Sequence, residues 1–390
     1  MIKINPPLLA LAIGAFAIGT TEFSPMGFLP QIAQSLDISI ATAGMLISAY
    51  ALGVMLAAPF MTLLLGHLPR RKTLVLLMAI FTIGNILAAI APTYWGLMGA
   101  RVITSLNHGA FFGIGSVVAT CVVPKEQQSS AVAAMFMGLT LANIGGVPLA
   151  TWVGQNIGWR TSFMAIALLG IVTMFALYKA IPLDLVGQRP HVKDELKVLI
   201  RPTVIIALLT TVFSAGAMFS LYTYIAPSLQ NLTHASPMFI TYMLVVIGIG
   251  FSVGNHLGGK FADQSLYKTL IGFLLLLIVT MLVFPILAQT ALGASIALFI
   301  WGVAAFAIVP PIQIAVMSVA HEAPGLAASV NIGAFNLGNA LGAAAGSAVL
   351  SLGMGYAEIS ILGAILAALS LALVGYQMKV TERSAEVLKS

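Results

Sequence analysis

Glu22 stands in GTTEFSPMGFLP (19–30), about 16 residues into an apolar run that begins near Pro6. A helix rises about 1.5 Å per residue, so this carboxyl lies about 24 Å from the inner end of the run, in the outer half of a bilayer. An ionised side chain at that depth costs on the order of 3 kcal/mol or more unless it is paired or faces a wet cavity. Those conditions suit a group that binds a proton on one side and releases it on the other. A carboxylate bonded to a neighbouring helix satisfies them as well. Pro25, three residues on, removes a backbone hydrogen bond and leaves one carbonyl free to face a cavity.

Arg101 and His108 are seven residues apart, two helical turns, and so share one face of another apolar run. Imidazole is the side chain that exchanges a proton near neutral pH. Arg101 is a candidate partner for Glu22, and the alternative for both is a buried structural pair. Asn107, on a different face, is a candidate substrate contact. At the position 197 residues after Glu22 stands Phe219, followed by Tyr222 and Tyr224, whose ring faces and hydroxyls suit flat or sugar-like ligands. Packing and interface anchoring would use the same residues. Gln313, after Pro310 and Pro311, is a further cavity candidate. The first half therefore holds the charges and the second half the aromatics, which assigns proton handling mainly to the first.

The elements that position these groups follow from composition. The chain has 390 residues, 60% hydrophobic and only 7% charged, with a mean hydropathy of +1.05. A soluble domain carries about 25% charged residues because its surface faces water. This chain is an integral membrane protein. One cysteine, Cys121, excludes an internal disulfide and a cysteine-based metal site. No nucleophile–base motif or metal-ligand spacing is present, so neither an enzyme nor a cofactor is expected. GNHLGGKF (254–261) matches a phosphate loop up to the lysine, but Phe261 replaces the Ser or Thr that would hold magnesium, and no strand precedes it.

Apolar runs long enough to span about 30 Å of hydrocarbon lie near 7–30, 41–66, 73–93, 95–123, 130–155 and 160–183. A second set lies near 202–229, 237–262, 269–289, 291–320, 325–352 and 357–378. The first is too long for a secretory signal and is followed by further spans, so it is read as a retained helix. With both termini cytoplasmic, all 17 Lys and Arg residues except Arg101 and Arg160 fall in the inner loops and tails. That satisfies the positive-inside rule and sends the net charge of +6 to anionic lipid headgroups, so nucleic acid is not needed as a partner. The halves are related: Gly19 and Pro30 recur as Gly216 and Pro227, and Thr62 and Arg71 as Gly259 and Lys268, each 197 residues later. A duplicated six-span unit is the plan of transporters with a site between repeats. The expected domains are an N-terminal bundle (1–184), a cytoplasmic linker (185–201) and a C-terminal bundle (202–390).

GGKFADQSLYK (258–268) resembles the loop signature of the major facilitator superfamily, in which Gly259, Asp263 and Lys268 match. The first-half copy keeps Arg70, Arg71 and Lys72 but has Thr62 and Gly66 where the signature has glycine and aspartate. GTTEFSPMGFLP, RVITSLNHGAFFGIGS (101–116) and GLTLANIGGVPLATWVGQNIGWRTSF (138–163) are similar to the twelve-span drug:proton antiporter branch, and within it to bacterial sugar (arabinose-type) and purine-nucleoside efflux permeases. The last segment has Gly145, Gly146, Pro148 and Gly154 but no Gly-Pro pair. The resemblance implies an all-α fold of two six-helix repeats in the cell inner membrane. It further implies alternating access, with proton-coupled export of a small solute as its activity; an uncoupled facilitator and a non-transporting sensor are the alternatives. It implies a proton-coupling role for Arg101 and gating roles for Arg70, Arg71, Lys72, Gly259, Asp263 and Lys268. It also implies that small-residue ladders at Ala49, Gly53 and Ala57, at Gly250, Gly254 and Gly258, and at Gly338, Gly342 and Gly346 lie where spans 2 and 11 and spans 5 and 8 meet.

Overall fold

The computed structural model describes residues 5–38, 40–185 and 192–387. Lys3, Arg189 and Lys389, and part of the expected linker, lie outside these. A membrane-embedded backbone must satisfy its own polar groups, and helices do so within one segment. The first half forms α1 (Pro6–Gly27), α2 (Leu29–Ser35), α3 (Ile40–Leu65), α4 (Arg70–Ile90), α5 (Tyr94–Cys121), α6 (Gln128–Leu141), α7 (Val147–Val153) and α8 (Trp159–Ala180). After a short α9 (Val192–Leu199), the second half forms α10 (Pro202–Thr223), α11 (Ile225–Leu232), α12 (Pro237–Gln264) and α13 (Leu266–Leu287). It continues with α14 (Ala291–Ala307), α15 (Val309–Val319), α16 (Pro324–Ser351) and α17 (Tyr356–Val387). Each expected span falls on one of these helices or on a consecutive pair. No strand occurs among the described residues.

Local chemistry sets the ends. Thr93, Ser236 and Thr290 accept from the amides of Gly96, Phe239 and Gly293 at 3.1–3.2 Å, the N-cap bond that such side chains favour. Proline opens α1, α10 and α12, where its missing N–H costs nothing. Ten helical stretches are long and apolar enough to cross a bilayer among the described residues, and Lys125–Ala180, at 56 residues, has the length for two crossings. Its reversal point is Gly158, with φ 140°, a backbone angle that side chains beyond glycine rarely adopt. Two π-helical turns, Ala142–Gly146 and Gly154–Gly158, interrupt the same stretch. Such turns are often found at functional sites.

The chain forms two compact units. One comprises Met1–Lys125, Ala134–Glu195 and Ala323–Gly333; the other comprises Glu126–Ala133, Leu196–Glu322 and Ala334–Ser390. In the first, α3 packs on α5, and α4 on α5 and α8, with α1 against α8. In the second, α12 packs on α14, and α13 on α14 and α17, with α10 against α17. Numbered by span, the pairs 2–4, 3–4, 3–6 and 1–6 recur as 8–10, 9–10, 9–12 and 7–12. The duplication legible in the residues is thus repeated in the packing.

The glycine ladders correct one expectation. A Cβ at Gly250, Gly254 or Gly258 would collide with the α14 backbone at Phe299, Val303 or Ala307. Gly338 and Gly342 press likewise on the α10 backbone, Gly346 on the Tyr224 ring, and Gly53 on Ser105 of α5. The glycines of all three ladders serve close packing inside a unit, because small residues let backbones approach. Span 2 meets span 11 through other residues: Thr62 donates to Ser329 Oγ at 2.6 Å, both side chains being buried.

Candidate functional site

The site lies in the first unit, where α1, α3, α4 and α5 bring their few polar groups together. Pro25 has no N–H to give the Thr21 carbonyl, its helical acceptor four residues back. Arg101 of α5 takes that place, with Nη1 donating to Thr21 O at 3.0 Å and lying 3.4 Å from Thr21 Oγ1. Thr21 Oγ1 in turn donates to Asn85 Oδ1 of α4 at 2.7 Å, and Asn85 Nδ2 donates to Phe81 O at 2.9 Å. The Arg101 guanidinium lies 4.2 Å above the Tyr50 ring of α3. A desolvated contact of that kind contributes roughly 2 kcal/mol. Arg101 is 1% exposed, and its Nε and Nη2 have no hydrogen-bond partner among the described residues.

Two helical turns on, His108 Nδ1 lies 3.1 Å from Tyr50 Oη and 4.0 Å from Glu22 Oε2. The imidazole is enclosed by aromatic faces, with the Phe112 ring centroid 5.2 Å away. The Glu22 side chain keeps 14% of its surface exposed. One nitrogen therefore faces both a phenol and a carboxyl, an arrangement through which a proton can be exchanged. The expected Glu22–Arg101 pairing acts at longer range: the two charges interact, with no salt bridge within 4.0 Å between them among the described residues. Among the described residues, the ionic approach of Glu22 within 4.0 Å is to His108, and Arg101 is held instead by the carbonyl that Pro25 frees.

The glycines of the span 5 signature seat α1 beside this cluster. A Cβ at Gly146 would collide with Thr20 and Phe16, one at Gly154 with Phe28, and one at Gly138 with the Ala12 carbonyl. From the other side, Gly19 meets Leu139 and Ala142, and Gly27 meets Thr151. Gly145 faces open space. The helix that carries Glu22 is thus laid against span 5 at backbone distance.

Asn107 is fully buried, and neither its Oδ1 nor its Nδ2 has a partner among the described residues. Tyr222 lies in the second unit within an aromatic cluster, stacked on Trp301 at 6.1 Å and 23° and 5.7 Å from the Phe251 ring. Tyr224 is engaged elsewhere: its hydroxyl donates to Ala343 O at 2.7 Å and its ring packs on Gly346, so it ties α10 to α16 and does not offer a free hydroxyl. Gln313 is buried in α15 of the same unit.

Of the loop residues, Arg71 stacks on the Tyr178 ring at 3.9 Å, and the Arg70 amide donates to Leu185 O at 3.0 Å. Lys72 is exposed. Gly259 approaches Ala133 and Ser129 closely. Asp263 accepts from the amides of Ser129 (2.8 Å) and Ser130 (3.2 Å) and from the Ser130 hydroxyl, capping α6. Lys268 lies in the first turn of α13. Tyr50, Thr21 and Asn85 were not singled out from the sequence. The available signal for Tyr50 was a lone phenol in the apolar run 41–66.

The sequence model of the "Major Facilitator Superfamily" matches residues 11–347. "Inner membrane transport protein YdhP" of Escherichia coli (strain K12) is 66% identical over 372 residues, covering 95% of this chain and 96% of that protein. A Pasteurella multocida (strain Pm70) protein named "Probable sugar efflux transporter" is 30% identical over 368 residues, covering 94% and 90%. Among solved structures, the E. coli fucose:proton symporter FucP superposes with a TM-score of 0.77 at 14% identity, over 95% of this chain and 98% of that one. The human organic anion transporter MFSD10 gives the same TM-score, identity and coverage. At such identity the two structures speak for the fold alone. Family match, relatives and fold agree: the chain belongs to the major facilitator superfamily, as a membrane transporter and not an enzyme.

Proposed function

We propose that this transporter exports a small neutral or weakly polar solute in exchange for inward-moving protons, by alternating access. The observation that carries the reading is the buried approach of Glu22 to His108, whose shared nitrogen is also held by Tyr50. A carboxyl and an imidazole so deep in a spanning segment are costly unless paired or hydrated, and groups kept there at that cost commonly mark substrate paths and proton relays. The name of the Pasteurella relative supports a sugar-like cargo leaving the cell. In this reading both termini are cytoplasmic, and residues 1–184 and 202–390 form the two moving halves. The proton arrives on Glu22 from the outer side, cancels the charge beside His108, and favours the switch away from the substrate-bound state. Asn107, whose two polar side-chain atoms have no partner among the described residues, contacts the solute, and Tyr222 and Gln313 are the candidates for such a contact in the second unit. Asp263 and Gly259 act at the cytoplasmic gate with Arg70, Arg71, Lys72 and Lys268.

The test is proton movement in inside-out vesicles, followed with a pH-sensitive dye while sugars, nucleosides and cationic drugs are added in turn. A solute that discharges the gradient in the native protein and not in Glu22→Gln supports the reading. An equal response from both proteins makes Glu22 structural. Solute flux indifferent to the gradient makes the protein an uncoupled facilitator.

A further inference from the structure

A groove of about 550 Å³ lies where α12 ends and α13 begins. Its lining is ordered along α13. Ser265 and Lys268 come first, then Gly272, Phe273 and Leu276, with Phe261 of α12 on the opposite wall. Lys268, Gly272 and Leu276 are spaced by four, so they share one face and span about 12 Å along the helix axis. The Phe261 and Phe273 rings stand 6.3 Å apart, tilted by 33°. The groove is thus cationic at its mouth and apolar along its bed.

Among the described residues no carboxylate lies within 4.0 Å of Lys268. Asp263, its nearest acidic neighbour in the chain, has both oxygens committed to the start of α6. Ser265, at the N-cap of α13, makes no side-chain cap bond, so the positive end of that 22-residue helix adds to the lysine's charge.

We propose that this groove holds one phospholipid with an anionic headgroup, of the phosphatidylglycerol class, from the cytoplasmic leaflet. Its phosphate sits against Lys268 and the first turn of α13, and one acyl chain runs over Gly272, alongside the paired Phe261 and Phe273 rings, to Leu276. The order of cation first and apolar bed after matches the order of headgroup and chain in the leaflet that the basic loops face. The proposal does not depend on proton coupling, so either can fail without the other.

The test uses the purified full-length chain, stripped of native lipid in detergent and mixed with phosphatidylglycerol or phosphatidylcholine. Retained lipid is counted by native mass spectrometry. One phosphatidylglycerol is expected to stay bound under conditions that remove phosphatidylcholine. Lys268→Gln should weaken its retention about fivefold, the worth of one cation near an anionic surface. Gly272 faces open space, so Gly272→Leu should fold normally, fill the bed and abolish retention. Equal retention of the two lipids, or retention unchanged in both variants, overturns the proposal.

Discussion

Arg101 Nη1 lies 3.0 Å from the Thr21 carbonyl oxygen, the acceptor in α1 that Pro25 deprives of its helical donor. A proline inside a helix costs roughly 3 kcal/mol. Here the loss creates a socket for a buried cation, one residue from Glu22. Pro25→Ala restores a competing N–H, so it is expected to raise the melting temperature while lowering transport. Thermal unfolding in detergent, run beside vesicle exchange, checks both halves. A variant that gains stability and keeps full exchange would separate the socket from function.

Tyr50 serves two groups through two different parts of its side chain. Its hydroxyl meets His108 and its ring supports Arg101. Tyr50→Phe removes only the hydroxyl, and a typical hydrogen bond is worth about 1 kcal/mol, so solute exchange should fall about fivefold. Tyr50→Leu also removes the ring under the guanidinium, and a further loss of about thirtyfold is expected. Equal rates for the two variants would show that the ring contributes nothing.

Neighbouring glycines in span 5 should answer differently to substitution. Gly145→Ala meets open space and improves helix propensity by up to about 1 kcal/mol, so it should be silent or mildly stabilising. Gly146→Val would drive branched carbons into Thr20 and Phe16, displacing α1. Overpacking of this kind costs typically 1–3 kcal/mol. Melting temperatures of the pair, measured together, decide the matter.

Asp263 caps α6 through two amides and a hydroxyl. Asp263→Ala should cost about 1–2 kcal/mol of stability, and Asp263→Asn less, since an amide oxygen still accepts one of those bonds. Chemical unfolding followed by tryptophan fluorescence gives the ranking. An alanine variant as stable as the native protein would rule out a capping contribution.

Outside the membrane, Arg201 donates to Glu322 Oε1 at 2.7 Å, and that hydrogen bond holds the Glu322 carboxyl below its ordinary value of 4.5. A depressed carboxyl contributes stability that is present above the unfolded value and is lost as pH falls through the folded one. The difference between native and Glu322→Gln proteins should therefore be constant at neutral pH and fade below about pH 4.5. Melting curves collected from pH 7 to pH 3 show whether the gap closes there.

Span number, helical character and repeat were legible because they depend on composition and length alone. Each apolar run is written out residue by residue, and a bilayer accepts only a narrow range of helix lengths. Glu22, Arg101 and His108 were legible for a related reason: charge is so scarce in these runs that each instance stands out. Tyr50 and Asn85 were not, because phenols and amides are common enough in these spans that neither stands out until the opposing atom is known. The glycine ladders show the same limit. Their spacing announced close packing, but their partners proved to be helices of the same unit.

By itself, then, the amino-acid sequence determined a membrane protein of paired helical repeats and the few side chains able to carry charge within it. Tertiary structure alone decided how those side chains are paired: Glu22 with His108, Arg101 with the Thr21 carbonyl, and Tyr50 with both His108 and Arg101. The reason is physical. Hydrophobicity and length act along one chain segment, whereas a hydrogen bond or an ionic contact forms within about 4 Å and depends on the rotation of separate helices about their own axes.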